Sequence, residues 1–335
     1  MGTSVTSVDV ARIGEGVGFV GLLARLTPAY EGGDGPRSMI AKLPSPEAGP
    51  RLLGQMYGLY AREARFYATL APTVGIATPA CYWAAHDEAG LGAMLLEDMA
   101  GRARVGDQLS GVEIDDALVA VSALAELHAA WWNSPRLDEV DWLESGTDLI
   151  RQPLATMYEP LRPVFEARFS ERLGPEFCAL LPELNQRVAQ TFDEMDKRPT
   201  TLTHGDYRLD NMFFSGSGES ATVTVCDWQS VNRTYGIFDI SYFIITNLSV
   251  EQRRKHEMTL LRAYHDVLVA HGIKDPDVDT LFEEYRSAPL GMLALGVING
   301  AVLDAQDGRG QALFDAIFER FVTASRDHDS VSLLP

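Results

Sequence analysis

The sequence of 335 residues contains few cysteines and no segment typical of export or membrane anchoring. Its three cysteines, Cys81, Cys178 and Cys226, lie far apart and lack a C-x-x-C spacing, which argues against a disulfide framework and against a zinc site. The chain has no charged-then-apolar leader and no run of about eighteen apolar residues that could span a bilayer. These absences predict a cytoplasmic protein with reduced thiols and no membrane insertion.

Basic residues are also scarce. The chain has 28 Lys and Arg against 47 Asp and Glu, which gives a formal net charge of -19. Nucleic acids and anionic membranes are bound through basic patches, so this charge argues against both as partners. With 46% hydrophobic and 22% charged residues, the composition is typical of a globular protein. The length allows one large domain or two lobes around a sizeable core.

The most informative stretch is 203–229. Asp206 and Asn211 lie five residues apart in the sequence HGDYRLDN, and Asp227 follows the apolar segment VTVC. In kinase-type transfer one aspartate accepts the proton of an attacking hydroxyl, while an asparagine and a second aspartate hold magnesium against the nucleotide phosphates. Protein kinases place H-R-D-x-x-x-x-N before D-F-G, whereas this chain has H-G-D-x-x-x-x-N before Asp-Trp-Gln. Apolar runs flanking a Ser- and Gly-rich turn predict a β-hairpin that brings Asn211 and Asp227 near one metal ion.

These motifs resemble those of the aminoglycoside phosphotransferase and choline kinase superfamily, in which H-G-D replaces H-R-D. The Asp-Trp-Gln variant and the upstream sequence LAELHAAWW at 124–132 are most similar to its ecdysteroid kinase-like branch. The resemblance implies a phosphotransferase that uses ATP and Mg and phosphorylates a hydroxyl of a small molecule. It implies Asp206 as the catalytic base, with Arg208 in the same catalytic loop, and Asn211 and Asp227 as metal ligands.

The same resemblance implies an α+β, two-lobe, protein-kinase-like fold. Residues 1–98 would form a small N-lobe, an antiparallel sheet with one helix that binds the nucleotide. Residues 99–335 would form a larger, mainly helical C-lobe with the catalytic loop and the acceptor-binding helices. In related folds an aspartate after the catalytic loop accepts hydrogen bonds from the loop backbone, which makes Asp239 the candidate here; a helix N-cap is a compatible role. His128, at a helix end beside two tryptophans, is assigned to the core instead of a substrate site.

Gly16, Gly18 and Gly21 form a G-x-G-x-x-G pattern near the start of the chain. Glycines at these positions let backbone amides approach nucleotide phosphates. A dinucleotide-binding fold would need a helix directly after this loop, whereas the sequence predicts a strand, a turn and a second strand. The pattern therefore favours a kinase glycine-rich loop, and an NAD-dependent oxidoreductase is kept as an alternative that requires a helix after Gly21.

Four further residues complete the predicted nucleotide site. Lys42 ends the second strand of the glycine-loop hairpin and is placed to contact the α- and β-phosphates. Glu63, on a helix predicted over 59–70, is its candidate partner; an exposed surface pair is the alternative. A second hairpin ends near Glu97 and Met99, which resemble an interlobe hinge whose backbone would bond adenine.

Protein kinase activity is disfavoured, because only residues 228–238 separate Asp227 from Asp239 and no Ala-Pro-Glu sequence lies there. A non-catalytic pseudokinase is the main alternative, although pseudokinases commonly lose one of the residues that this chain retains. The resembled superfamily includes kinases of antibiotics, choline-like amines, steroids and hydroxyacyl thioesters. The aromatic and apolar content of this chain slightly favours a lipophilic alcohol. The expected partners are therefore a nucleoside triphosphate and a small-molecule acceptor.

Overall fold

The structure, a computed structural model, describes residues 4–14, 20–33, 35–302 and 308–335. The chain divides into two compact units. The first unit comprises Met1–Arg104 and Thr224–Val231, and the second comprises Val105–Val223 and Asn232–Pro335. No signal in the sequence predicts that the short segment around Asp227 belongs with the first unit, since it follows the catalytic loop in the chain.

The first unit is built on an antiparallel sheet. Its strands are β1 (Ser4–Ile13), β2 (Gly21–Glu31), β3 (Met39–Pro44), β4 (Cys81–His86) and β5 (Gly92–Glu97). They pair in the order β1-β2-β3-β5-β4, and each neighbouring pair runs antiparallel. Buried and half-buried residues alternate along β5, as expected for a strand with one face on the core. β1 forms one edge of the sheet and is almost entirely exposed.

The first unit also contains helices. They are α1 (Ala48–Met56) and α2 (Leu59–Arg65), which pack against each other, and α2 continues into a π-helical turn, Phe66–Leu70. The helix predicted over 59–70 is therefore present, with a wider final turn. α2 packs against β4 and β5. It approaches β5 so closely at Gly92 that a Cβ there would overlap the Tyr60 carbonyl, which explains the glycine.

The second unit is mainly helical. Its helices are α3 (Ile114–Trp131), α4 (Arg136–Glu139), α5 (Gly146–Met195), α6 (Ile237–Asn247), α7 (Val250–Ala270), α8 (Val278–Val302), α9 (Gly308–Asp327) and α10 (Ser330–Leu333). Its short strands are β7 (Thr201–Thr203), β8 (Met212–Ser215) and β10 (Asn232–Thr234). Two more short strands, β6 (Arg104–Val105) and β9 (Thr222–Val225), each include residues of both units. β7 pairs with β10, while β8 lies between β6 and β9. α3 packs against α7, and α5 packs against α8.

Four of the five prolines in α5, Pro153, Pro160, Pro163 and Pro182, lie in continuous helix, and the break falls directly before the fifth, Pro175. Five prolines lie inside the helix, which is interrupted at Gly174, where φ is 78° and ψ is 168°. A positive φ is tolerated by glycine at little steric cost, so the chain bends there. Tertiary packing explains the rest, because Tyr158, Phe165 and Phe169 are fully buried along one side of the helix. Pro289 similarly lies within α8.

The sheet of the first unit and the helices of the second confirm the predicted α+β class. Among the described residues, every helix is too short or too polar to cross a membrane.

Candidate active site

In the first unit, Lys42 of β3 lies between two carboxylates. Its Nζ is 2.7 Å from Oε2 of Glu63 and 2.8 Å from Oδ1 of Asp227. We call these three residues the lysine cluster. The side chains of Lys42 and Glu63 are 14% and 2% exposed, and that of Asp227 is 25% exposed. Glu63 is thus a buried partner of Lys42, which contradicts the alternative of an exposed surface pair.

Burial and the charges of the lysine cluster shift the pKa values of Lys42 and Glu63. Burial alone lowers the pKa of Lys42, but the carboxylates of Asp227 and Glu63 outweigh burial and hold that pKa above its ordinary value. Burial raises the pKa of Glu63 to about 7, against the attraction of Lys42. The lysine is therefore firmly charged, and the cluster contains more carboxylates than cations.

Asp227 has an uncommon backbone conformation that its neighbours hold in place. Its φ of 63° and ψ of 61° lie in the left-handed region, which aspartate tolerates better than most residues. Trp228 stacks on Phe66 with ring centroids 4.1 Å apart and planes 8° from parallel. Arg62 Nη1 donates to the Gln229 carbonyl at 3.1 Å. Strained residues that are held in this way are common at functional sites.

The glycine pattern is only partly described. Gly21 begins β2, and a Cβ at Gly21 would lie 3.9 Å from Cε of Lys42, so this glycine lies beside the lysine cluster. Gly16 and Gly18 fall outside the described residues. A strand follows Gly21 directly, which contradicts the dinucleotide-fold alternative because that fold requires a helix there.

Glu97 and Met99, the predicted hinge, lie at the end of β5. The amide of Glu97 donates to the Ala80 carbonyl at 2.8 Å, and the Met99 carbonyl accepts the Arg102 amide at 3.1 Å. Between them, Asp98 accepts a hydrogen bond from Arg25 Nε at 2.6 Å. Hydrogen bonds therefore hold this segment at Glu97, Asp98 and Met99. Adenine binding there stays a prediction.

In the second unit, the predicted catalytic loop, residues 204–211, brings Asp206, Arg208 and Asn211 together. Oδ2 of Asp206 accepts hydrogen bonds from Arg208 Nε at 3.0 Å and from Asn211 Nδ2 at 3.1 Å. Asn211 Nδ2 also donates to the Asp206 carbonyl at 3.0 Å. We call these three residues and Asp210 the catalytic-loop cluster. Its hydrogen bonds fix the plane of the Asp206 carboxylate.

Buried side chains hold the backbone of this loop. Asp239, in the first turn of α6, accepts the amides of His204 at 2.6 Å and Gly205 at 2.9 Å, as predicted for an orienting residue. His128 Nε2 lies 3.4 Å from Oδ2 of Asp239, and its Nδ1 lies 2.7 Å from the Tyr264 hydroxyl. His128 is fully buried, as predicted. These contacts anchor the start of the catalytic loop to the helical core.

Three residues of this region, Asp210, Gln108 and Arg309, were not predicted from the sequence. Asp210 accepts hydrogen bonds from Arg208, from the Gln108 amide and from Arg309. Asp210 could have been suspected as a second acid inside the catalytic loop. Gln108 and Arg309 are 102 and 99 residues from Asp210, and no local pattern connects them with it.

Solved structures with a similar fold are kinases and phosphotransferases by name. Choline kinase from Cryptosporidium parvum has a TM-score of 0.64 and 11% identity, with 98% of this chain and 92% of that chain covered. Choline kinase LicA from Streptococcus pneumoniae has a TM-score of 0.56 and 14% identity, with 97% and 95% covered. APH(2″)-IIIa, solved with GDP and kanamycin, has a TM-score of 0.54 and 15% identity, with 97% and 93% covered. This likeness shows the predicted two-lobe, kinase-like fold.

Sequence comparison gives the family. Among curated proteins, none matches this chain significantly. The ecdysteroid kinase-like family matches residues 15–274, a span that includes both the lysine cluster and the catalytic loop. The chain therefore belongs to the ecdysteroid kinase-like family.

Proposed function

We propose that this protein is an ATP- and magnesium-dependent phosphotransferase that phosphorylates a hydroxyl group of a small molecule. Membership of the ecdysteroid kinase-like family supports this proposal. So do the names of proteins with a similar fold, which include choline, ethanolamine and aminopropanol kinases. The observation that carries it is the Asp206 carboxylate, fixed by Arg208 and Asn211 in a loop whose amides bond to buried Asp239.

Asp206 is the proposed catalytic base. It would accept the proton of the acceptor hydroxyl as that oxygen attacks the terminal phosphate. The hydrogen bonds from Arg208 and Asn211 keep the carboxylate in one orientation, and positioning supplies much of the catalysis in phosphoryl transfer. The guanidinium of Arg208 also places positive charge next to the reacting group, where it would stabilise the charge that develops during transfer.

Asn211 and Asp227 are the proposed magnesium ligands, and their chemistry suits this ion. Magnesium prefers oxygen ligands and is usually bound by one or two protein side chains together with phosphates and water. Both side-chain hydrogen bonds of Asn211 to Asp206 use its amide nitrogen, which leaves the amide oxygen for a metal. Within the part of the chain that is described, no group of three or more His, Cys, Asp or Glu side chains could hold a metal ion. When bound, magnesium would neutralise phosphate charge.

The lysine cluster is the proposed phosphate-binding element. Lys42 would contact the α- and β-phosphates while Glu63 keeps it in place. Since Lys42 faces two carboxylates, the cluster has no net positive charge even when Glu63 is protonated, and a phosphate would approach it favourably only with a divalent cation. This lack of net positive charge supports a magnesium requirement for nucleotide binding. Other proposed nucleotide-binding residues are Gly16, Gly18, Gly21, Glu97 and Met99.

A turnover assay tests the proposal. ADP release from magnesium-ATP would be measured with amino sugars, choline-like amines, steroid alcohols and hydroxyacyl thioesters, and with water alone. The Asp206→Asn variant is the matched control, because it keeps the size of the side chain and removes the base. Turnover with one acceptor class that is lost in the variant supports the proposal. Tight magnesium-ATP binding without turnover on any acceptor contradicts it and favours a non-catalytic nucleotide-binding protein.

A further inference from the structure

In the second unit, a continuous series of ion pairs leads from the proposed base to α9. Arg208 Nε bonds Asp206 at 3.0 Å, and Arg208 Nη1 bonds Oδ2 of Asp210 at 3.0 Å. Arg309 Nη2, in the first turn of α9, bonds Oδ1 of Asp210 at 3.2 Å and Oδ1 of Asp107 at 2.9 Å. We call these five residues the charge chain. Carboxylates and guanidinium groups alternate along it.

Asp210 is the centre of the charge chain. Its side chain is only 5% exposed, and it accepts hydrogen bonds from three separate segments. Arg208 Nη1 comes from the catalytic loop, Arg309 Nη2 comes from α9, and the Gln108 amide, at 3.0 Å, comes from the segment before α3. A buried carboxylate with donors on both oxygens has a fixed orientation. Asp210 is therefore a rigid acceptor for Arg208.

The position of Asp210 determines how Arg208 can contact Asp206. A guanidinium group is planar, and its donors form a rigid fork. With Nη1 held by Asp210, Nε donates to Oδ2 of Asp206 from a fixed direction. If Asp210 no longer held Arg208, the guanidinium plane could rotate and Nε–H would lose that fixed direction. The plane of the Asp206 carboxylate would then be less well defined.

Gln108 provides a second connection between α9 and the catalytic loop. This residue is fully buried, and its Oε1 accepts Arg208 Nη1 at 3.4 Å. Its backbone carbonyl accepts Arg320 Nη1, from the middle of α9, at 2.9 Å. Its Nε2 donates to Thr246 Oγ1 of α6 at 3.0 Å. α9 therefore holds the surroundings of Arg208 at two points, through Arg309 and through Arg320.

We propose that Arg309 and Asp210 are positioning residues through which α9 sets the orientation of Arg208 and so fixes the plane of the Asp206 carboxylate for proton transfer. This inference rests on the proposed roles of Asp206 and Arg208. Neither Arg309 nor Asp210 contacts the reacting atoms. Both act on the rate of transfer, and neither contributes to nucleotide affinity.

The first test replaces Arg309. The Arg309→Met variant should lower kcat by about two- to fivefold, because pairs at this exposure are of modest strength, and should leave the KM for ATP unchanged. Arg309→Lys keeps one charge-assisted bond and should recover part of the loss. Arg172→Met is a matched control: Arg172 of α5 is 40% exposed, against 38% for Arg309, and also pairs with an acid of α9, Asp315. It should turn over like the wild type.

A double-mutant cycle tests whether Arg309 acts through Asp210. Asp210→Asn places an amide donor against Arg208 or Arg309 and should lower kcat by roughly 10- to 100-fold. If the two residues form one chain, adding Arg309→Met to Asp210→Asn should cause little further loss. Full multiplication of the two effects would overturn the connection.

Amide hydrogen exchange of the free protein gives a readout that does not depend on catalysis. Exchange at residues 204–212 should become faster in Arg309→Met and should not change in Arg172→Met. If Arg309→Met turns over and exchanges like the Arg172→Met control, the inference is wrong, whether or not the proposed function holds. If the wild type has no turnover but Arg309→Met still loosens the loop, the proposed function fails and the positioning of the loop by α9 stands.

Discussion

The lysine cluster and the catalytic-loop cluster both combine basic groups with carboxylates, but they balance charge differently. In the lysine cluster a single cation, Lys42, serves two carboxylates. In the catalytic-loop cluster, Asp206 and Asp210 share Arg208, and Arg309 supplies a further cation from α9. In the first arrangement both carboxylates converge on one cation, so the cluster has no net positive charge and suits a metal-bound phosphate. In the second, Asp107 brings the count to three carboxylates for two guanidinium groups, but the ion pairs run in series and orient Asp206, which suits a base. We infer that the first governs nucleotide affinity and the second governs the rate of transfer.

Removal of Lys42 should lower both nucleotide affinity and turnover strongly. Lys42→Met leaves Glu63 and Asp227 without their cation and removes the proposed phosphate contact. Turnover should fall by roughly 10²-fold or more, and magnesium-ATP affinity should fall with it. Isothermal titration calorimetry and ADP release would measure the two effects. Glu63→Gln, which keeps Lys42, should weaken binding less; equal affinities in the wild type and Lys42→Met would contradict the role of the lysine cluster.

The buried residues that hold the catalytic loop should contribute to the free energy of unfolding. The Asp239 carboxylate accepts hydrogen bonds from two loop amides. In Asp239→Asn only one oxygen remains, and the new NH2 group would face the other loop amide. The variant should therefore lower the free energy of unfolding by about 2–3 kcal/mol. Tyr264→Phe removes only the outer hydrogen bond to His128 and should cost about 1 kcal/mol. Urea denaturation would measure both. Equal costs would show that the loop is not held chiefly through Asp239.

A third charged group, in the C-terminal helices, should affect stability alone. Glu257 of α7 accepts hydrogen bonds from Arg253 at 2.8 Å and from His328 at 3.1 Å. Burial alone raises the pKa of Glu257, but His328 and Arg253 outweigh burial and hold that pKa below its ordinary value. A lowered pKa in the folded state stabilises the protein above the ordinary value of 4.5, and this stabilisation is lost as pH falls through the lower, folded value.

Glu257→Gln should therefore make the loss of stability below pH 4.5 less steep. At pH 7 the variant should be less stable by about 1–3 kcal/mol, because charge-assisted hydrogen bonds are lost. Its kcat and magnesium-ATP affinity should match the wild type. Urea denaturation between pH 3 and pH 7 would measure how the free energy of unfolding falls at low pH. A change in kcat would show that this group is connected to the catalytic-loop cluster.

Features with a local pattern could be predicted from the sequence. The fold class follows from motif order, and the long helices α3, α7 and α9 follow from apolar spacing. The Lys42 to Glu63 pair was predicted because a glycine-rich loop, a strand-end lysine and a helix glutamate occur in that order. Asp206 and Asn211 share one short loop, so their contact needs only local geometry.

Features that depend on distant parts of the chain could not be predicted. Arg309 contacts Asp210, which lies 99 residues earlier in the chain, and no local or periodic sequence pattern predicts such an ion pair. Tertiary packing also keeps α5 helical at Pro153, Pro160, Pro163 and Pro182, against the local preference of proline. The exposed strand β1 lacks the alternation of buried residues that identifies a strand with one face on the core.

The most direct test of the division between affinity and rate is calorimetric titration of magnesium-ATP into the wild type, Asp206→Asn and Asp227→Ala, with ADP release measured on the same samples. Asp206→Asn should bind magnesium-ATP like the wild type while turnover falls by roughly 10²- to 10⁴-fold. Asp227→Ala should bind it weakly. If Asp206→Asn loses as much affinity as Asp227→Ala, or keeps its turnover, the two clusters do not have the separate roles proposed for them.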